Sequence, residues 1–275
     1  MAVFIPRHEI VKRLRDKISR DEPIVVAGVS TGYAAVSAEK GGADLLLFYN
    51  SGRYRIMGVG SLAGLLPFDD ANAMTLRLAR EITAVVRETP VIAGVCAIDP
   101  FRNIRDLIRE LKEKYGVSGV INFPTVAMYD GVFRKNLEKQ GFSYEKELHM
   151  ISEARKLDML TTPYVFNPAE ARSMAEAGAD VLIAHVGYRE ETLSLDEAVS
   201  LLREIVKEAK EVSPDVIVLC HGDPIVDPRS FEYVYERVRN LAGFMGFAAI
   251  ERLPVQRAII DTIREFKGVK RKTPS

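Results

Sequence analysis

The sequence has little cysteine, little histidine and no tryptophan: two, four and none in 275 residues. Cys96 and Cys220 each lie inside or just beyond an apolar run. Two such positions make no disulfide framework, so a reducing, cytoplasmic setting is expected. Net charge is missing too, with 38 residues of each sign. No basic stripe suggests nucleic acid, and no acidic tail suggests a solvating segment. The basic end 267–272 reads as a frayed terminus. No apolar run approaches the ~20 residues a bilayer demands, so no membrane span is expected. Residues 1–20 read as a charged helix rather than a secretory signal.

What the chain does have is alternation. Eight short apolar runs recur, at 24–28, 45–49, 91–95, 119–122, 160–165, 181–185, 216–220 and 243–247. Runs that are apolar throughout suit a parallel sheet buried on both faces. Between them lie stretches with helical spacing: 33–41, 71–87, 104–115, 144–157, 169–177, 195–212, 230–241 and 255–266. Pro168 and Asp227-Pro228 stand where helices should begin. Strand and helix alternating eight times predict an α/β fold, a single (βα)8 TIM barrel spanning residues 1–275. An open dinucleotide-binding sheet is disfavoured, because Gly28-Val29-Ser30-Thr31-Gly32 replaces the Gly-x-Gly-x-x-Gly turn after the first strand. An N-terminal helix at 7–20, with Ile10, Val11, Leu14 and Ile18 on one stripe, could cover the barrel's bottom. Asp44 and Asp180, at strand starts, read as structural. Two long active-face loops, 50–70 and 123–142, are candidates to cover a ligand.

In such a barrel the C-terminal strand ends converge on one mouth, and several runs end in residues that can do chemistry. Arg53 and Arg55, flanked by glycines, could grip a carboxylate or phosphate bidentately. His185 and His221 end neighbouring strands and could move a proton or ligate a metal. Glu251 and Asp99 could act as general base or metal ligand, although a carboxylate there may equally cap the following helix. Asn50, Asn122 and Tyr164 would orient a substrate, and Gly222 would seat a phosphate. Cys96 reads as a buried thiol before a nucleophile.

Tyr49-Asn50-Ser51-Gly52-Arg53-Tyr54-Arg55, Gly60-Ser61-Leu62-Ala63-Gly64-Leu65-Leu66-Pro67, Asp99-Pro100-Phe101-Arg102, Asn122-Phe123-Pro124-Thr125, Thr161-Thr162-Pro163-Tyr164-Val165-Phe166, Leu219-Cys220-His221-Gly222 and Glu251-Arg252-Leu253-Pro254 carry a resemblance. Together they resemble the phosphoenolpyruvate hydrolase-like proteins, also described as TIM-barrel signal-transduction proteins. The resemblance implies kinship with the phosphoenolpyruvate/pyruvate superfamily, whose members use Mg²⁺ to hold 2-oxo acids or their enolates. The superfamily's Asp-rich metal set and Lys-Lys-Cys-Gly-His loop do not occur here, so metal ligands stay unassigned.

These readings combine into an enzyme acting on a small anion of the 2-oxo acid, phosphoenolpyruvate or phosphonopyruvate type, by acid/base hydrolysis or lyase chemistry. The alternative is a non-catalytic, anion-sensing barrel that signals to a protein partner. A homo-oligomer is expected by the same resemblance, with no single contact patch evident.

Overall fold

A computed structural model describes residues 2–270. Its centre is an all-parallel, curled sheet of nine segments: β1 (Ile24–Gly28), β2 (Leu45–Phe48), β3 (Val91–Val95), β4 (Gly119–Asn122), β5 (Leu160–Thr161), β6 (Tyr164–Val165), β7 (Val181–His185), β8 (Ile217–His221) and β9 (Leu241–Gly246). Their order is β5-β4-β3-β2-β1-β9-β8-β7-β6. The predicted fifth run at 160–165 is therefore divided between the sheet's two ends. Its first half pairs with β4 and its second with β7. The amide of Thr162 donates to the Val120 carbonyl, while the amide of Ile183 donates to Pro163.

The helices are α1 (Arg7–Ile18), α2 (Gly32–Lys40), α3 (Asn50–Ile56), α4 (Ala71–Thr83), α5 (Ile104–Tyr115), α6 (Gly131–Lys139), α7 (Tyr144–Lys156), α8 (Pro168–Glu176), α9 (Leu195–Val212), α10 (Pro228–Arg237) and α11 (Leu253–Gly268). Local chemistry sets their ends. The Asn103 side chain accepts from Arg105 and Asp106 amides to start α5, and left-handed Gly116 (φ 69°) stops it. Ser194 and Glu197 form a reciprocal cap at α9. The two long loops are corrected: α3 and a 3-10 turn at Ser61–Leu65 occupy the first, and α6 with a second 3-10 turn occupies the other. Glycine at 52, 58, 60 and 131 hid those short elements from a reading by periodicity.

Strand side chains alternate between two apolar layers. Ile24, Val26, Leu45, Leu47, Ile92, Ile121, Ile183, Leu219 and Met245 fill the inside of the curl, together with Ile10 and Leu14 of α1. Ala27, Leu46, Phe48, Val91, Ala93, Val120, Leu182 and Val218 face the helices. At the strands' N-terminal end, Lys17 binds Asp44 at 2.8 Å and Arg7 binds Asp180 at 2.8 Å. Asp44 also accepts from the Val25 amide, and Asp180 from the amide and hydroxyl of Thr161. Both aspartates brace the bottom.

Helix α11 buries none of its residues. Val255, Ile259 and Ile263 are 48%, 59% and 55% exposed. Beside its start lies an apolar groove of about 580 Å³, lined by Val25, Ala27, Val29, Ala34, Ala38 and Ile250. Of the basic end, Lys267 belongs to α11, whereas Arg271 and Lys272 lie outside the described residues. Among the described residues no helix is long and apolar enough to cross a membrane.

Candidate functional site: the mouth of the sheet

Tyr49 directly follows β2 and continues the inward alternation of Leu45 and Leu47. Its ring stacks on Phe123 (centroids 4.0 Å) and tilts against Phe247 (4.4 Å). Its hydroxyl lies 3.0 Å from that of Tyr164. Burial pushes the Tyr49 phenol up to about 12, so this pair stays neutral and can offer a proton for hydrogen bonding.

Arg55 enters this aromatic floor from the last turn of α3. Its guanidinium carbon sits 4.2 Å from the Phe247 ring centroid and 5.8 Å from that of Tyr49. Nη1 donates to Ser61 Oγ at 3.0 Å. Nη2 is buried and has no hydrogen-bond partner among the described residues. A buried guanidinium with an open donor is costly to the fold unless an anion meets it. Arg55 also lines a cleft of about 670 Å³ with Gly58, Gly60, Ser61, Glu251 and Val255.

His185 and His221 pair across β7 and β8 with ring centroids 4.7 Å apart, near perpendicular. Their backbone bonds dictate opposite tautomers. The Gly187 amide donates to His185 Nδ1 at 3.1 Å, which leaves the His185 proton on Nε2. His221 Nδ1 lies 2.8 Å from the Met245 carbonyl, which can only accept; the His221 proton is on Nδ1 and Nε2 keeps a lone pair. Burial lowers both pKa values, that of His221 to about 4 and that of His185 well below the usual imidazole range. The Arg55 charge lowers His221 further, and the His221 ring lowers His185. Tyr164 stacks on His221, Phe166 on His185, and Tyr188 tilts against His185. Gly222 (φ 97°) makes room for the imidazole: a Cβ there would fall 2.9 Å from His185 Cε1.

The remaining predicted residues have partners within the protein. Glu251 accepts from the Ser30 amide at 2.7 Å and the Ser30 hydroxyl at 2.6 Å; burial raises its pKa. Asn50 donates to Gly64 and accepts from Ser51, fastening the 3-10 turn. Asn122 donates to Glu147 and accepts from the Tyr164 amide, bridging β4 to β6. Asp99 accepts from Asn72, the Phe101 amide and Arg102. It lines a separate cleft with Cys96, whose thiol burial pushes up to about 12. Arg53 does not join Arg55 on the aromatic floor. It points outward to Glu81 at 3.8 Å, because residues two apart on a helix face different ways.

The structure thus gathers Arg55, Tyr164, His185 and His221, with Glu251 at the edge. It adds Tyr49, Ser61, Tyr188 and Phe247, which residue-type searching passes over because phenols, serines and phenylalanines carry no titratable signal near neutrality. Glu147 was also missed. It is fully enclosed, accepts from Asn122, Thr125 and the Val126 amide, and is raised by burial to about 7. The Mg²⁺ that the resemblance implies finds no donor set: among the described residues no three His, Cys, Asp or Glu groups converge to hold a metal ion.

Comparison with known proteins places this arrangement. The tomato (Solanum lycopersicum) proteins "ToMV susceptible protein tm-1(GCR26)" and "ToMV resistance protein Tm-1(GCR237)" are each 47% identical to the chain, over 94% and 96% of it. The chain spans only about a third of their length, 35% and 36%. Among solved structures, phosphonopyruvate hydrolase in complex with oxalate and Mg²⁺ superposes with a TM-score of 0.63 at 16% identity, covering 98% of this chain and 92% of that one. Oxaloacetate acetylhydrolase superposes at 0.60 and 17% identity, covering 96% and 89%. These likenesses are of fold. Residues 9–269 match the family described as phosphoenolpyruvate hydrolase-like, and the chain belongs to that family.

Proposed function

We propose that the chain is an enzyme acting on a small carboxylate-bearing anion of the 2-oxo acid or phosphonopyruvate type. One observation carries the reading: the buried, open Nη2 of Arg55, which rests on Phe247 and Tyr49 and lies within electrostatic reach of His221. Arg55 holds the carboxylate; the neutral His185 Nε2–H donates a hydrogen bond to the oxygen where charge develops, and the His221 Nε2 lone pair accepts a proton. A fixed hydrogen-bond donor and a base, both set by their tautomers, suit hydrolysis or lyase chemistry, in which a water or hydroxyl loses its proton as a carbonyl oxygen gains charge. A preorganised guanidinium would stabilise the charge that develops, an effect worth several kcal/mol of barrier. Tyr164 packs the rings in place, and Glu251, tied to Ser30, steadies the edge of the mouth. The fold-level kinship with phosphonopyruvate hydrolase and oxaloacetate acetylhydrolase supports this substrate class.

The finer architecture follows the same reading. Counting β5 and β6 as one strand interrupted at Thr162-Pro163 gives a closed, single-domain (βα)8 barrel. Two unpaired cysteines fit a reducing cytoplasm. The apolar stripe of α11 and the neighbouring groove support a homo-oligomer in which one copy's α11 covers another's groove.

The decisive experiment is calorimetric titration of the purified chain with oxalate, pyruvate and phosphate, followed by turnover assays on phosphonopyruvate and oxaloacetate. Binding that Arg55→Met abolishes, with turnover that His221→Asn abolishes while binding persists, supports the enzyme. Tight binding without any product would favour the second reading, an anion sensor. That alternative draws on the tomato relatives, whose names record virus susceptibility and resistance. No binding of any small anion removes both.

A further inference from the structure

We propose that the mouth takes its anion without a divalent cation, Arg55 itself supplying the positive charge that the ligand meets. The inference rests on the anion reading above and extends it to the identity of the cation. A magnesium ion needs near-octahedral oxygen ligands at ~2.0–2.1 Å, and a protein anchors it through one or two free carboxylates, with waters and ligand oxygens completing the shell. The residues at or just after the strand ends here are Tyr49, Cys96, Asn122, His185, His221 and Phe247, none of them a carboxylate.

Of the carboxylates around the mouth, Glu251, Glu147 and Asp99 are each committed on both oxygens, and among the described residues no three His, Cys, Asp or Glu groups converge. Glu251 is bound by the amide and hydroxyl of Ser30. Glu147 is bound by Asn122, Thr125 and the Val126 amide. Asp99 is bound by Asn72, Arg102 and the Phe101 amide. Recruiting any of them to a metal would strip buried donors of their acceptors, and each such donor is expensive to leave open. Cysteine does not substitute: Cys96 is held as a thiol, and soft sulfur suits magnesium poorly.

The guanidinium argues the same way. Among the described residues no carboxylate contacts it: Nη1 goes to the Ser61 hydroxyl, Nη2 has no partner, and the π face rests on Phe247. A dication placed against it would be repelled strongly in so dry a setting. The ligand class follows. A planar carboxylate, of which oxalate is the smallest dianionic probe, can take the open Arg55 donor.

The test titrates the full chain with oxalate by calorimetry in excess EDTA and again in excess Mg²⁺, with Mg²⁺ alone as a third arm. The expected result is the same affinity, within about twofold, in EDTA and in Mg²⁺, and no thermal shift from Mg²⁺ alone. Arg55→Met should weaken oxalate at least about tenfold. Ser61→Ala, which only loosens the guanidinium, should weaken it less while melting like the native chain. Oxalate binding that appears only with Mg²⁺, or that survives Arg55→Met in EDTA, overturns the proposal and leaves anion binding standing. Absence of oxalate binding in every arm, together with no phosphate binding in a parallel titration in EDTA, sinks the anion reading itself.

Discussion

The two ends of the sheet treat charge in opposite ways. At the bottom, Arg7 and Lys17 are each matched by a carboxylate at 2.8 Å, and Asp44 and Asp180 take further donors from the strands they begin. At the mouth, Arg55 is more deeply enclosed than either cation yet keeps a donor open. Evolution toward stability alone would mate or remove such a group, since apolar replacements of buried charges are often neutral or stabilising. The contrast separates scaffold from site without reference to any ligand.

Substitution should break the contrast with opposite signs. Asp180→Ala strands Arg7 and the Thr161 amide and should cost about 3 kcal/mol in denaturant unfolding. Arg55→Met, by comparison, should leave stability unchanged or raise it by about 1 kcal/mol while removing anion binding. A large stability loss from Arg55→Met would make it a strut like Arg7.

The pH dependence sharpens the same point. Because burial holds His221 near 4 and His185 well below the usual imidazole range, both rings are neutral from pH 8 to 6. Anion affinity should therefore stay flat across that range; a rise of about tenfold per unit below 6.5 would name an imidazolium as the grip. Stability behaves differently. A histidine with a depressed folded pKa contributes fully above its unfolded value near 6.5, and the contribution is lost as pH falls through the folded value near 4. Glu147 works against this, since its folded pKa is raised to about 7: its share of stability is whole below about 4.5 and declines as pH rises toward 7. Melting curves of His221→Asn and Glu147→Gln should thus diverge in opposite directions from the native profile between pH 4 and 7. The smallest effect on folding is expected at α11. Ile259→Asp with Ile263→Asp should change unfolding by within about 0.5 kcal/mol. The same pair should abolish any self-association seen by sedimentation; an unchanged oligomer would clear α11 of that role.

Much of this was readable from residue order. The apolar runs marked the strands, because a sheet buried on both faces admits little else, and the starts of the second and sixth predicted runs gave Asp44 and Asp180 their bracing role. His185 and His221 could be paired in advance, since adjacent strand ends must be neighbours. Arg53 and Arg55 could not be told apart, because only the helical geometry of α3 sends one to Glu81 and the other inward. Asn50, Asn122 and Asp99 looked like ligand contacts. Asn50 and Asn122 bond Gly64 and Glu147, partners 14 and 25 residues away that no local pattern announces, whereas Asp99 binds Phe101 and Arg102 within its own turn. Tyr49 was within reach: it continues the every-second-residue series of Leu45 and Leu47, and so had to point inside.

The divided fifth run has a consequence for motion. At Thr162-Pro163 the sheet changes allegiance, with two residues tied to one neighbour and two to the other. Proline there gives no amide to the ladder, and the Asn122 side chain takes over by accepting from Tyr164. This seam is the natural line along which the wall could breathe, and Tyr164, lying on it, touches Tyr49, His185 and His221 at once. Deuterium should therefore enter the amides of 160–165 ahead of those in β1 or β7, and an anion seated beside Tyr164 should slow that entry from a distance of several residues.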